Sequence, residues 1–374
     1  PQNFRSLSCH HLREIQNTDM DYTKTNFSNL AILSLLFSGA IYLCFWAPAT
    51  ISKPFFSIQN YHPCPISNSL YTLNIYKDEL EVALEEASMV NKTVIIAVVN
   101  KAYAEQHDDR YPAMLDLFLE SFWVGEDTRS LLDHLLVVAV DQTAYDRCMF
   151  RRLHCYRLVT DGVDFTGEKL YMSDDFIKMM WRRTLFLLDV LRRGYNFIFT
   201  DTDIMWLRDP FARLSRNESE DLQISTDLFK GDPWSEDSLI NTGFYHIKSN
   251  NKTISLFEIW YAMKNNSTGM KEQDVLASLM QRGVFKELGL GVRFLDTLYF
   301  SGFCSDSRDI SAVTTVHANC CRSIIAKVTD LKAVLRDWKK FKGSSMATNG
   351  TRPFRWSNHI GCFKSWRVTN KTLG

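Results

Sequence analysis

The sequence predicts an α/β fold built on a mostly parallel, Rossmann-like sheet flanked by helices. Three observations predict it. Thr93 to Val99 (T-V-I-I-A-V-V) is a continuous apolar run rich in β-branched residues, which is how a strand buried on both faces reads. From there strand-like and helix-like stretches alternate, as they do in right-handed parallel sheets. Finally, Tyr195 to Phe211 (Y-N-F-I-F-T-D-T-D-I-M-W-L-R-D-P-F) sets a short aromatic strand behind Gly194 and ends it on two carboxylates.

Taken in order, the elements begin with an uncharged run of 18 residues, Leu30 to Ala47, with Tyr42 and Trp46 toward its end. That length and those aromatics suit a membrane span. Arg5, Arg13 and Lys24 precede it and only Lys53 follows closely, so residues 1–29 are expected in the cytosol and the rest of the chain in a lumen. A cleaved signal peptide, with Ala47-Pro48-Ala49 as its site, is the competing reading, but the leader before the apolar core is long for one. Residues 48–75, rich in Pro, Ser and Asn, read as a stem.

The folded part is expected over 76–342. Lys77 to Met89 carries Leu80, Ala83, Leu84 and Ala87 at helical spacing. After the Thr93 strand, Met114, Leu117, Phe118 and Phe122 share a helical face behind Pro112. Leu135 to Val140 reads as a second buried strand, Ala144 to Leu153 as a helix, and Arg157 to Thr160 as a short strand. Ser173 to Arg193 is a long helix with Ser173 as cap and Asp174 and Asp175 in its first turn. Leu239 to Ile247 is a strand containing Gly243, a place where a ligand or another backbone comes close. Thr253 to Lys264, Gln273 to Arg282 and Leu331 to Lys340 read as helices, and Val292 to Leu298 and Ala312 to His317 as strands. No acid follows Asp337, while Lys339, Lys340, Lys342, Arg352, Arg355, Lys364, Arg367 and Lys371 do, so 343–374 is expected to be a basic tail.

Composition and compartment narrow the function. The 374 residues are 45% hydrophobic and 23% charged with zero formal charge, so no nucleic-acid partner is implied. Seven N-x-[ST] sequons follow the apolar run, at Asn91, Asn217, Asn251, Asn265, Asn266, Asn349 and Asn370, which suits a lumenal domain. Seven cysteines follow it too, so disulfides are expected; the odd number leaves a thiol free or paired between chains, and a homo- or hetero-oligomer stays open. Cys320-Cys321 beside His317 reads as structural rather than as a metal cluster.

Asp201 and Asp203 stand at the C-terminal edge of a strand, where open α/β sheets place ligands. Residues two apart in extended chain point the same way, so both carboxylates can face one divalent cation and the phosphates it bridges. Turn aspartates are the plainer reading of D-x-D alone. His317 can add an imidazole to the same cation, or be an ordinary satisfied histidine. Glu272, Gln273 and Asp274 open a helix, as caps or as contacts to a reacting sugar. Lys178, Arg182 and Arg183 on the preceding helix could meet a diphosphate or form a solvated face. Asn241-Thr242-Gly243 offers amide and backbone hydrogen bonds near a sugar. The motifs of P-loop enzymes, dinucleotide redox folds, α/β-hydrolases and zincins are missing. Sugar transfer from a nucleotide diphosphate and a D-x-D phosphatase remain; against the phosphatase, Ile204-Met205 follows the motif where such enzymes carry small residues.

Taken together and in order, Y-N-F-I-F-T-D-T-D-I-M-W-L-R-D-P-F, I-N-T-G-F-Y, K-E-Q-D-V-L and V-H-A-N-C-C resemble the plant nucleotide-diphospho-sugar transferases of glycosyltransferase family 77. M-L-D-L-F-L-E-S-F-W and L-L-V-V-A-V-D resemble that family as well, so the likeness runs from about Thr93 to Lys342. The resemblance implies a GT-A fold, a single-pass type II Golgi protein, and retaining, Mn²⁺-dependent transfer from a UDP-sugar. It implies xylose, arabinose or galactose as the sugar and a cell-wall polysaccharide or hydroxyproline-rich glycoprotein as acceptor. By position, Asp201 and Asp203 would bind metal and nucleotide, His317 would complete the metal site, and Glu272 or Asp274 would approach the donor sugar, with Gln273 between them. A lumenal carbohydrate-binding protein that kept the fold without turnover is the alternative class.

Overall fold

The structure, a computed structural model, describes residues 77–106, 109–160, 162–169, 171–345 and 354–367. The expected span at 30–47 and the stem at 48–75 lie outside the described residues. Among the described residues no helix is long and apolar enough to cross a membrane.

The chain opens with helix α1 (Glu79–Ala87), capped by the Asp78 carboxylate, and strand β1 (Thr93–Val99). Asn100 caps the short α2 (Lys101–Ala104), followed by α3 (Met114–Val124), β2 (Leu135–Ala139), α4 (Gln142–Phe150) and β3 (His154–Arg157). The long α5 (Asp174–Arg192), capped by Ser173, leads into β4 (Asn196–Thr200) and β5 (Ile204–Trp206). Then come β6 (Leu222–Leu228), β7 (Leu239–Ile247), α6 (Asn251–Ala262), α7 (Glu272–Gln281) and α8 (Val284–Glu287). The chain continues through β8 (Val292–Phe294), β9 (Phe300–Gly302), β10 (Thr315–His317), α9 (Ile324–Ser345) and α10 (Ile360–Ser365).

Among the described residues the main sheet has seven strands in the order β3-β2-β1-β4-β7-β6-β8, and β5, β10 and β9 form a second sheet of three. The main sheet is mixed rather than simply parallel. Strands β3, β2, β1, β4, β6 and β8 share one direction, and β7 runs against both of its neighbours. The reversal follows from connectivity, since β6 and β7 join through a short loop that an antiparallel pair accepts and a parallel pair cannot use. Along β1 the side chains alternate between two cores: Ile95, Ala97 and Val99 meet α3 and α9, while Val94 and Ile96 meet α1 and α5. Helices therefore cover both faces of the sheet, as its apolar strands require.

Four element boundaries need correction. The strand placed at Arg157–Thr160 lies earlier, at His154–Arg157, because its partner is Leu136–Ala139 on β2. The strand placed at Val292–Leu298 ends at Phe294, and the one placed at Ala312–His317 begins only at Thr315. The helix placed at Leu331–Lys340 extends from Ile324 to Ser345, and β6 was not anticipated at all. Both misses have one cause. Gln223 of β6 is fully buried with its amide on Ser215, and Asp330 of α9 is buried against the Gly361 and Cys362 N–H groups, so satisfied polar residues break the apolar period.

Disulfides join Cys148 to Cys155, Cys304 to Cys320 and Cys321 to Cys362. Cys320 and Cys321 are thus structural, as read from sequence. The last of these bonds, with the contacts at Asp330, fastens residues 354–367 of the basic C-terminal stretch to the folded domain.

His246 lies on β7 opposite Ile198 and Gln223. Burial, and then Lys248, push its imidazole down to about 4. The unfolded chain takes up this proton near pH 6.5 and the folded chain does not, so stability is whole above about 6.5 and falls as pH drops toward 4. Thermal melts at pH 7 and pH 5 should show this loss, and His246→Gln should reduce it.

Candidate active site

The site forms where β4 stops. Asp201 N–H donates to the Gly243 carbonyl of β7 at 2.7 Å, and Ala318 N–H, just past β10, donates to the Asp203 carbonyl at 3.0 Å. The chain then turns into β5, which pairs antiparallel with β10 so that Ile204 faces His317. That register delivers the imidazole to the carboxylates across more than a hundred residues of sequence. His317 Nε2 is 3.3 Å from Asp203 Oδ1 and 4.0 Å from Asp201 Oδ2. The Ile204-Met205-Trp206 run that follows the aspartates anchors the turn: Trp206 stacks on Phe122 and its indole N–H donates to Thr200 Oγ1.

Each aspartate has its own cation. Arg183 of α5 reaches Asp201 Oδ1 at 2.9 Å with one nitrogen and Glu272 Oε1 at 2.6 Å with the other, and its guanidinium lies 4.5 Å over the Phe199 ring. Lys327 of α9 sits 2.6 Å from Asp203 Oδ2. The two carboxylates differ in consequence. Burial raises the Asp201 pKa despite the opposing charge of Arg183. Burial would raise Asp203 too, but Lys327 and His317 outweigh it and hold that carboxyl far below the usual range. Burial works against a charged His317, and Asp203 more than offsets it, raising the imidazole pKa. Asp203 is 4% exposed and Asp201 34%, so Asp201 is the side chain that opens to the cavity.

That cavity holds about 250 Å³. Glu272 and Gln273 at the start of α7 line it, tied to β7 by Thr242: its hydroxyl donates to Glu272 Oε1 at 3.0 Å and its N–H to Gln273 Oε1 at 3.1 Å. Asn241 Oδ1 accepts from Gly243 N–H at 2.8 Å, and its amide nitrogen donates to Asp227 at 2.8 Å. Tyr171, Phe176, Met179 and Met180 form an apolar wall.

Most of the residues expected from sequence converge here, and three do not. Lys178 points outward to Asp175 at 3.5 Å, and Arg182 donates to the Val159 carbonyl. Asp274 pairs with Lys271 at 3.9 Å, while Glu272 and Gln273 take the cavity side. Lys327, Asp227, Asn319 and Tyr103 also line the cavity and were not foreseen. Burial pushes the Tyr103 phenol up to about 12, so it stays protonated.

Asp201, Asp203 and His317 bring three ligand atoms within 4.8 Å of one another, a set of hard oxygens and one imidazole that suits a divalent cation. Gly243 leaves the space beside them. A Cβ there would lie 2.5 Å from His317 Cε1 and 2.9 Å from Asp201 Oδ2. The residues present therefore fit a divalent metal.

Three outcomes follow from this geometry. Gly243→Ala should weaken Mn²⁺ binding, read by calorimetry, about 10- to 100-fold, the range for displacing groups that orient metal ligands. Arg183→Met should cost about 3–5 kcal/mol in denaturant unfolding, because it leaves Glu272 and Asp201 without their buried partner. Lys178→Ala, on the solvent side of the same helix, should change stability by less than about 0.5 kcal/mol.

Residues 130–331 match the family model described as nucleotide-diphospho-sugar transferase. An uncharacterized protein of Arabidopsis thaliana is 57% identical over 349 residues, covering 92% of this chain and 97% of that protein. A UDP-galactose:fucoside alpha-3-galactosyltransferase of Dictyostelium discoideum is 28% identical over 184 residues, 42% of this chain and 28% of that protein. A UDP-D-xylose:L-fucose alpha-1,3-D-xylosyltransferase of Arabidopsis thaliana is 27% identical over 124 residues, 33% of this chain and 31% of that protein. The model spans Arg183, both aspartates, Gly243, Glu272, His317 and Lys327, the residues that build the cavity, and the chain belongs to the nucleotide-diphospho-sugar transferase family and is a glycosyltransferase.

Proposed function

We propose that the chain moves xylose, arabinose or galactose from a UDP-sugar to a carbohydrate acceptor, with retention at the anomeric carbon and with Mn²⁺ bound by Asp201, Asp203 and His317, on a GT-A fold. The observation that carries this reading is the meeting of those three side chains in the cavity with Lys327 beside them. When bound, the metal would supply charge to neutralise a departing diphosphate.

The chain's own residues have distinct parts in this reading. Lys327 is the cation placed to meet the diphosphate. Arg183 is committed to Asp201 and Glu272, so its work is to hold both in place. Glu272 Oε2 is buried without a hydrogen-bond partner, and a sugar hydroxyl would satisfy it. Gln273 has its amide oxygen engaged by Thr242 and keeps its nitrogen for the sugar. Asn241 and Gly243 close that side, and Asp274, facing Lys271, is left out of donor contact. The names of both weaker relatives pair a UDP-sugar with an α-linked product. UDP-galactose and UDP-xylose carry α-linked sugars, so retention is the stereochemistry those names support. A front-side approach of the acceptor hydroxyl fits it.

A Golgi-lumen setting, with residues 1–29 cytosolic, 30–47 as anchor and 48–75 as stem, is part of the same reading. Three disulfides among the described residues support an oxidising compartment. The sequon residues Asn91, Asn217, Asn251, Asn265 and Asn266 are all exposed, as glycan acceptors must be. Acceptors of the cell-wall polysaccharide or hydroxyproline-rich glycoprotein class come from the family resemblance.

The test is UDP release by the purified chain from a set of UDP-sugars, with and without Mn²⁺. One donor should be turned over in a metal-dependent way, and Asp203→Ala should abolish transfer while circular dichroism shows an intact fold. Near-normal turnover by the folded variant would remove the proposal.

A further inference from the structure

Residues 354–367 lie beyond the stretch matched by the family model, yet they are fixed in place. Asp337 accepts from Ser357 N–H at 2.7 Å, and Asp330 accepts from Gly361 and Cys362 N–H at 3.1 and 2.7 Å. Cys362 is bonded to Cys321, and the Trp366 indole N–H donates to the Cys320 carbonyl at 2.7 Å. Cys320 and Cys321 follow His317 closely, so this segment is clamped to the loop that leaves the metal site.

The clamp builds a second cavity of about 630 Å³, within the usual range for ligand pockets of roughly 300–1,000 Å³. Its lining combines the rings of Phe303, Trp356, Phe363 and Trp366 with polar groups on His359 and Asp306. His359 stacks on Phe303 with ring centres 3.6 Å apart and holds the Asp306 carboxylate at 2.9 Å. Phe363 is 62% exposed and Trp366 43%. Trp366 and Cys320 line both this cavity and the one that holds Asp201 and His317, so the two are neighbours across a shared wall.

We infer that this aromatic cleft binds the sugar chain of the acceptor. The inference rests on the transferase reading above and names where the second substrate sits. A sugar ring has an apolar C–H face and a hydroxyl edge. Aromatic side chains beside hydrogen-bonding groups match both at once. Its place follows from continuity: Trp366 lines both cavities, so an acceptor in this cleft extends past it toward the donor cavity. The sequence-remote C-terminal segment then has a task, which is to carry the acceptor wall.

The test measures binding without requiring turnover. The full chain is titrated with fucosylated, xylosylated and pectin-derived oligosaccharides, followed by tryptophan fluorescence and calorimetry. At least one should bind, and Phe363→Ala and Trp356→Ala should each weaken it tenfold or more. Phe363→Leu, which keeps bulk but removes the ring, should weaken it as well and guards against a folding defect. UDP binding in the presence of Mn²⁺ is measured on the same samples. Loss of UDP binding with retained, ring-dependent oligosaccharide binding would sink the donor reading and leave the cleft standing. Absence of any oligosaccharide binding, or binding indifferent to all three variants, would overturn the inference. So would a dimer in light scattering that Phe363→Ala dissociates, since the cleft would then belong to a second copy.

Discussion

Two carboxylates set side by side at the end of a buried strand repel one another, and much of this molecule is arranged to make that repulsion tolerable. Asp201 is held by Arg183 from α5 and Asp203 by Lys327 from α9, with His317 between them. In low-dielectric surroundings such attractions are large, but so is the cost of drying the charges, and the net gain to stability is small. What the pairs contribute is position. Arg183 also engages Glu272, whose neighbour Gln273 takes the Thr242 N–H, so one guanidinium ties α5, β4, α7 and β7 together. A helix shifted by one residue would break every one of these contacts.

How much of this was legible in the sequence depends on whether the information was local. The strand ending in Asp201-x-Asp203 could be read because the apolar run and the carboxylates adjoin. Glycine inside the β7 pattern was legible for a similar reason, and its purpose proved to be room for His317. The three cations of α5 were not separable by eye, yet helical geometry separates them. Successive residues turn by about 100°, so Arg182 and Arg183 cannot share a target, and Lys178 lies off the Arg183 face. Glu272 and Asp274 are resolved by the same turn of helix. Lys327 was invisible because nothing around it in sequence distinguishes it from a solvated lysine. Its role appears only when α9 is laid against β4. Asp227 on β6 and Asn319 just past β10 were missed likewise, since they are hydrogen-bonded to each other across the fold rather than to sequence neighbours.

The fold followed the same rule. Continuous apolar strands such as β1 and β2 announced a sheet covered on both faces. The reversed strand β7 could not be inferred from composition, because direction is set by the length of the β6–β7 connection and by pairing partners. The small sheet of β5, β10 and β9 is the least predictable part and the most consequential for the site. Its antiparallel register alone decides which residue of β10 faces the aspartates.

The clamp between Cys321 and Cys362 has a consequence for the order in which the protein becomes competent. A growing chain completes Asp201 and Asp203 long before the segment bearing Trp366 is made. Until the bond to Cys362 closes, the loop that follows His317 lacks that outer wall. Closing that bond is therefore the step that fixes the outer wall to the site loop.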